Sequence, residues 1–369
     1  MPDAAGFRAR LFAPARDPLW GAAFAVLASL AVSFVAIAAT GRDPALGFAY
    51  LLDGSLGGVG PLGETAIKSA VLLLTGLSVS VAFTVGLFNI GAEGQLIWGA
   101  LAAAVVGRLQ IPLVLPCALV AAALAGALWG LIPGLLKVRR GVHEVISTIL
   151  LNWIAIHLVH GWLVAGPLAA AGSGSSVSVA GTEPIRAAAY LPRLLAGSRL
   201  DLGFPLALCI AVGIWFLLTR THRGFEWRAT GAGLEAAQAS GIPVGRRVCE
   251  AMALSGALSG VAGALLILGT EHKYPGVFRT GYGFDGIAVA LVGGGTAAGT
   301  AVAGIFFGAI RAGATRLQLV GIHPSFAELI QGLAVLLVAA PRIFAPLLRK
   351  LRGGPGTATA APPVPTVQP

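Results

Sequence analysis

Residues 88–100 read "FNIGAEGQLIWGA", and Asn89, Glu93 and Gln95 stand there between two of the most apolar stretches of the chain. Upstream, residues 64–87 read "ETAIKSAVLLLTGLSVSVAFTVGL"; downstream, residues 96–107 read "LIWGALAAAVVG". An acid and two amides between such flanks are costly to desolvate unless something satisfies them. Gly91 and Gly94 beside them can break a helix and turn backbone groups toward a cavity. The stretch reads as an interrupted membrane helix.

Working outward, the composition agrees. The chain is 56% hydrophobic and 11% charged, whereas a soluble domain carries about 25% charged residues. Apolar runs at 20–40, 112–136, 202–219 and 248–269 are each near the roughly 20 residues a helix needs to cross the hydrocarbon core. A signal peptide would explain only the first run, and a transmembrane barrel would show alternating ten-residue strands instead. The fold class is therefore an all-α polytopic membrane protein. Hydropathy gives about ten helices, at 20–40, 63–86, 92–107, 112–136, 145–165, 202–219, 248–269, 284–295, 298–314 and 325–341. Glycine, 52 of 369 residues, recurs inside these runs; "GALSG" (256–260) and "GIFFG" (304–308) are small-xxx-small patterns that permit close helix approach.

The net charge of +10 does not mark a nucleic-acid surface, because basic residues punctuate the ends of apolar runs as the positive-inside rule describes. An N-terminal arm (1–19), "KVRR" (137–140), the segment 220–247 and the tail (342–369) are assigned to the cytoplasm. The transmembrane domain is 20–341, and the 41–62, 166–201 and 270–283 connections fall on the external side. The 166–201 segment reads as a loop with a short helix. The tail beyond Gly353, rich in Pro, Ala and Thr, reads as disordered. Cys117, Cys209 and Cys249 show no paired spacing and read as small core hydrophobes.

No GxxxxGK[ST] phosphate loop, HExxH or GxSxG occurs, so no catalytic residue is assigned. His157 and His160, one turn apart, have no evident third ligand, so no metal site is assigned. The membrane-embedded polar residues are few: Asn89, Glu93, Gln95, Asn152 in "VISTILLNWIAI", Glu144 at the entrance of that span, and Asp285 at the start of "FDGIAVALVGGG". With Phe88 they mark a candidate polar pathway for a hydrogen-bonding solute. The bland reading is interhelical bonding or capping, which suits Glu144 and Asp285 equally well. A second Gly-interrupted segment, 281–295, occupies the corresponding place in the second half, a pattern that points to a translocation site. Between spans, "EWRATGAGLEAAQASGIPVGRRV" (226–248) carries an Ala-rich stretch, Leu234 to Ser240, stopped by Gly-Ile-Pro. Such a helix can dock a soluble partner or rest on headgroups.

"GLFNIGAEGQLIWGA" (86–100), "GVHEVISTILLNWIA" (141–155), "RATGAGLEAAQASGI" (228–242), "GYGFDGIAVALVGG" (281–294) and "HPSFAELIQGLAVLLVAA" (323–340) together resemble the permease subunits of bacterial ABC importers. Within the ribose and branched-chain amino acid branch, the resemblance is to the nucleoside-type permeases paired with Bmp-family lipoproteins. It implies a type II importer fold with two broken-helix halves, and a coupling helix at 228–242 carrying Arg228, Gly231, Glu235, Ala236, Ala237 and Gly241. It also implies a cytoplasmic ATPase with tandem nucleotide domains that holds ATP and Mg, none being bound by this chain. A second homologous permease forming a heterodimer and an extracytoplasmic substrate-binding lipoprotein complete the expected assembly in the bacterial inner membrane. Purine nucleosides are the implied cargo. The alternatives are a ribose or branched-chain amino acid permease and, from another class, an ion-coupled secondary transporter using Glu93 or Asp285 as its ion site.

Overall fold

The computed structural model describes residues 18–170, 181–195, 197–276, 278 and 281–339. The expectations for the N-terminal arm (up to residue 17), for the tail and for residues 171–180 lie outside the described residues. Among the described residues there are thirteen α-helices, in chain order: α1 Pro18–Ala39, α2 Pro44–Leu56, α3 Val59–Thr84, α4 Ala92–Gly107, α5 Val114–Arg140, α6 Glu144–Ile156, α7 Gly203–Arg220, α8 His222–Ala232, α9 Leu234–Ala239, α10 Val244–Leu266, α11 Tyr282–Val292, α12 Ala297–Leu317 and α13 Phe326–Ala339. Wider π-helical turns, His157–Val164 and Ile267–Glu271, extend α6 and α10. Only two isolated β-bridges occur among the described residues. This is what a bilayer demands, since each backbone N–H and C=O must find its partner inside its own segment.

Among the described residues, six helices are long and apolar enough to cross a membrane: α3, α5, extended α6, α7, extended α10 and α12. The other apolar segments, Val26–Ala39, Ala92–Gly107, Tyr282–Val292 and Phe326–Val338, are shorter. Of the about ten spans expected, six therefore reach membrane length, and shorter apolar helices stand at the other four places. At about 1.5 Å per residue, α4 with 16 residues and α11 with 11 measure about 24 Å and 16 Å, short of a roughly 30 Å core.

Helices α3 and α10 are mostly buried at the centre, with α4 and α5 packed along α10. Small residues set these contacts. A Cβ on Gly256 would lie 2.1 Å from the Gly126 carbonyl oxygen, and one on Gly260 would lie 2.2 Å from that of Ala122. A Cβ on Gly304 would lie 2.9 Å from Leu73 Cα, and one on Gly308 would lie 2.6 Å from Ser69 Cα, both on α3. Both small-xxx-small pairs therefore sit at backbone-to-backbone crossings.

Three readings need correction. Residues 41–62, expected as a connection, contain α2; Asp43 caps it by accepting the N–H groups of Ala45 (2.9 Å) and Leu46 (3.3 Å), with Pro44 at its first position. The 228–242 segment is two helices, because Gly233 interrupts it in extended backbone. Cys117 and Cys209 are exposed rather than core; both lie on outward faces of α5 and α7, where a thiol suits lipid as well as a core.

The connections gather at two ends. Val138 meets Gly245, Gly231 meets Thr84, and Gly295 meets Phe83 at one. At the other, Gly107 packs on Ile185, Arg199 pairs with Glu64 at 2.9 Å, and the Leu191 N–H donates to the Leu268 carbonyl.

Candidate functional site

The chain leaves α3 at Thr84 and re-enters a helix at Ala92, so the interruption falls on residues 85–91. Asn89 organises it. Its Oδ1 accepts the Gly91 N–H (2.8 Å), and its Nδ2 donates to Gln95 Oε1 (3.0 Å) and Ser255 Oγ (2.8 Å). Ser255, on α10, donates in turn to the Ser78 carbonyl on α3 (2.7 Å). From α6, Asn152 closes the other side: Oδ1 accepts the Gly94 N–H and Nδ2 donates to the Ile90 carbonyl, both at 2.8 Å. These are the orphan groups that a helix start and a broken strand of backbone leave behind. With Asn89, Gln95 and Asn152 at most 2% exposed, each unmet group would cost about 1–3 kcal/mol.

Glu93 takes up the capping that the sequence left as the alternative to lining a pathway, on a helix far away in the chain. Its Oε1 accepts the Gly281 N–H (3.1 Å) and its Oε2 the Gly283 N–H (2.7 Å). It therefore caps α11 across 188 residues of sequence. Gly281 adopts φ +63, a left-handed conformation that costs glycine little, to present its N–H. A Cβ on Gly283 would fall 2.2 Å from the Glu93 nitrogen, so the two helix starts touch backbone to backbone. From this junction α4 runs to the end marked by Ile185, and α11 runs to the end marked by Thr300 and Phe83. Two positive helix ends meet inside an apolar bundle, and the carboxylate between them supplies the negative charge that makes the meeting stable.

The remaining predicted residues are dispersed. Half-buried Phe88 packs on Phe83 with ring centroids 5.1 Å apart. Glu144 is buried at the start of α6 and pairs with Lys137 at 2.7 Å, bridging the α5–α6 turn. Asp285 lies in the first turn of α11 and pairs with Arg311 of α12, whose guanidinium sits 3.9 Å from the centre of the Tyr282 ring. Thus Asn89, Glu93, Gln95 and Asn152 form one cluster, and Phe88, Glu144 and Asp285 lie on its surroundings. Sequence reasoning missed Ser255, Ser78 and Arg311; an isolated Ser on a Gly-rich helix face is a signal too common to single out. Among the described residues no three His, Cys, Asp or Glu side chains gather as a metal group, and His160 is engaged with the Tyr274 hydroxyl at 2.6 Å.

The second surface is α8–α9. Arg228, Gly231, Glu235, Ala236 and Gly241 are exposed, while Ala237 is 4% exposed and anchors α9. Leu234 and Phe225 present apolar side chains outward. Two contacts fix this surface to the bundle. A Cβ on Gly231 would lie 2.2 Å from the Thr84 carbonyl oxygen at the edge of the interruption. Glu226 pairs with Arg247 of α10 at 2.6 Å, and Arg247 also pairs with Glu250 at 2.6 Å.

Six membrane-length helices among the described residues, with two short ones meeting start to start, are the build of a multi-pass membrane protein. The chain belongs to the family described as "Branched-chain amino acid transport system / permease component", whose model matches residues 62–339. It is 37% identical to the guanosine ABC transporter permease protein NupP of Bacillus subtilis, covering 89% of this chain and 95% of that one. It is 32% identical to the glucose ABC transporter permease protein TsgB13 of Haloferax volcanii over 86% of each chain. It is also 29% identical to the nucleoside ABC transporter permease protein NupB of Lactococcus lactis, covering 89% of this chain and 92% of that one. No solved structure matches it. The protein is thus a transport component of an ABC system, a multi-pass protein of the bacterial plasma membrane.

Proposed function

We propose that this chain is one permease of an ATP-driven importer of nucleosides, purine nucleosides first among them. The observation that carries the reading is the 37% identity to a guanosine permease across 95% of its length. The interrupted helices fit a type II importer fold whose pathway lies between this chain and a second, homologous permease in a heterodimer. The end bearing α8 and α9 faces the cytoplasm. There α9 is the coupling helix, seated in a groove of an ATPase with tandem nucleotide domains, which binds the ATP and Mg that this chain does not. A substrate-binding lipoprotein delivers solute at the opposite end, beside the 181–202 segment.

In the conformation described, the polar groups of Asn89, Gln95, Glu93 and Asn152 are engaged with one another and with backbone. Their part in the pathway is to hold its wall in shape, and a solute meets them when α4 and α11 part. The test is uptake of radiolabelled guanosine, adenosine, ribose and glucose by cells carrying the intact system, repeated with Glu93→Ala and Glu235→Lys. ATP-dependent nucleoside uptake lost in both variants is the expected result. Uptake that survives ATP depletion and collapses with the proton gradient defeats the reading.

A further inference from the structure

Between α11 and α13 lies a groove of about 330 Å³, lined among others by Phe284, Asp285, Glu328, Gln331 and Gly332. Gln331 is 5% exposed, yet its amide has no hydrogen-bond partner among the described residues. Its amide atoms are not among the fully buried unpartnered ones, so they open toward the groove; the other deeply buried amides, Asn89, Gln95 and Asn152, are spent on backbone or a neighbour. Phe284 exposes 47% of its surface, and a Cβ on Gly332 would meet nothing within 4 Å. Space, an aromatic face and an idle amide therefore coincide.

Acyl chains are a poor occupant. The groove begins at the first turn of α11, next to the start of α4, where a carboxylate facing hydrocarbon is strongly disfavoured. Its charges are also one-sided: Asp285 is paired with Arg311, and Glu328 adds a further negative charge. That balance repels phosphate and carboxylate groups and leaves acceptors for hydroxyls.

We propose that this groove is a solute-contacting surface of the chain, and that its ligand is an uncharged nucleoside. The base stacks on Phe284, Gln331 reads the base edge or a sugar hydroxyl with its amide, and Asp285 and Glu328 accept the remaining hydroxyls. The volume falls at the lower edge of the roughly 300–1,000 Å³ typical of small-molecule sites. This inference rests on the nucleoside reading above and goes further, because it places discrimination against nucleotides and free sugars in named residues.

The experiment is uptake by the complete transporter with its own partner chains, comparing wild type with Gln331→Leu, Phe284→Leu and Gly332→Leu. Solutes are guanosine, ribose and, as competitor, guanosine monophosphate. Co-purification of the partner chains is read first. Gln331→Leu should raise the KM for guanosine by about five- to tenfold. Phe284→Leu should do so by about tenfold with ribose uptake unmoved, since stacking serves only a base. Gly332→Leu should block uptake while the complex stays assembled, and the monophosphate should not compete in wild type. Equal losses of guanosine and ribose uptake on Phe284→Leu, or no loss on any of the three substitutions, overturn the groove. Loss of the second permease on Gly332→Leu overturns it too, by showing that a subunit covers the face. A wild-type transporter that carries no nucleoside is a different failure, visible without any variant; it overturns the functional reading and the ligand together.

Discussion

Changing Gly256 to Ala adds one methyl group at the centre of the bundle, and the structure says what it must displace. The new Cβ falls 2.1 Å from the Gly126 carbonyl oxygen, 2.8 Å from its carbon and 3.1 Å from Gly130 Cα, all backbone atoms of α5. Ordinary contact begins at 3.4 Å, so α5 and α10 must separate by about 1.3 Å (3.4 − 2.1). A gap of roughly 0.5–1 Å already forfeits a quarter to a half of each dispersion contact, and lipid offers no hydrophobic compensation between helices. Overpacking of this kind costs about 1–3 kcal/mol, and the backbone partner places Gly256→Ala at the upper end. Gly213→Ala on α7 is the control, for its Cβ meets nothing within 4 Å. Removing a helix-interior glycine there should gain about 0.5–1 kcal/mol. One substitution thus has opposite signs at two sites. Thermal inactivation of the purified protein in detergent, followed by tryptophan fluorescence, should put Gly256→Ala several degrees below wild type and Gly213→Ala at or above it. At about 2–4 °C per kcal/mol for chains of 150–250 residues, and less for a longer one, a drop under about 1 °C for Gly256→Ala refutes the close crossing.

Four further outcomes are expected. Glu93→Gln keeps an acceptor for one N–H but removes the charge facing two helix starts, so it should destabilise by about 1–2 kcal/mol; Glu93→Ala, which leaves the N–H groups of Gly281 and Gly283 unmet, should cost more, and both are read by the same inactivation curve. Asn152→Leu should cost about 1–3 kcal/mol for each of its two broken bonds to Gly94 and Ile90, and uptake should fall with stability. Asp201, outside the spans, is buried and accepts the Gly203 N–H at 2.8 Å; burial raises its pKa above the usual 3.8, so the folded state holds its proton more tightly than the unfolded chain. Its stabilising contribution is complete below that value and is lost as pH climbs through the raised pKa, so Asp201→Asn should flatten the inactivation profile on that rising limb. Arg247→Met leaves α8 unpaired with α10, and in the reconstituted transporter it should leave ATP hydrolysis running while uptake falls at least several-fold.

The helices were legible because apolar runs of membrane length have one stable backbone solution. Even the interruption at 85–91 announced itself, through polar residues that no continuous lipid-facing helix would tolerate. Two other features were not legible, for different reasons. The α2 helix carried a sound local signal, an Asp before Pro44, but its moderate hydropathy hid it from a search for long apolar runs. The pairing of Glu93 with Gly281 and Gly283 had no local signal at all: it depends on α4 and α11 being brought start to start by the packing of α3, α5 and α10. Sequence placed an acid in the membrane and could name pathway or cap as its roles; the distances of 3.1 and 2.7 Å show which N–H groups it holds. Sequence periodicity likewise could not tell that Gly256 and Gly260 face backbone while Gly213 faces outward.

Under the proposed function, the two attachments of the α8–α9 surface carry a force applied there to the interruption. Gly231 lies on the Thr84 carbonyl, at the last turn of α3 before the chain breaks. Glu226 holds Arg247 on α10, and eight residues further along the same helix Ser255 bonds Asn89, the residue that organises the break. Each route is a single rigid helix between two tight contacts, so neither needs a flexible relay. Under the proposed function, a partner that pushes α9 moves α3 and α10 together relative to α4. The bonds then placed under load are those Asn89 makes to Ser255 and Gln95, and those Glu93 makes across to α11. A neutral or truncated side chain at Glu93 lowers the cost of parting α4 from α11, so loss of this carboxylate should leave the junction open more of the time rather than merely weaken the fold. The two effects separate in one assay: ATP hydrolysis that proceeds without delivered solute rises if the junction is a gate and stays at the wild-type level if it is only a cap.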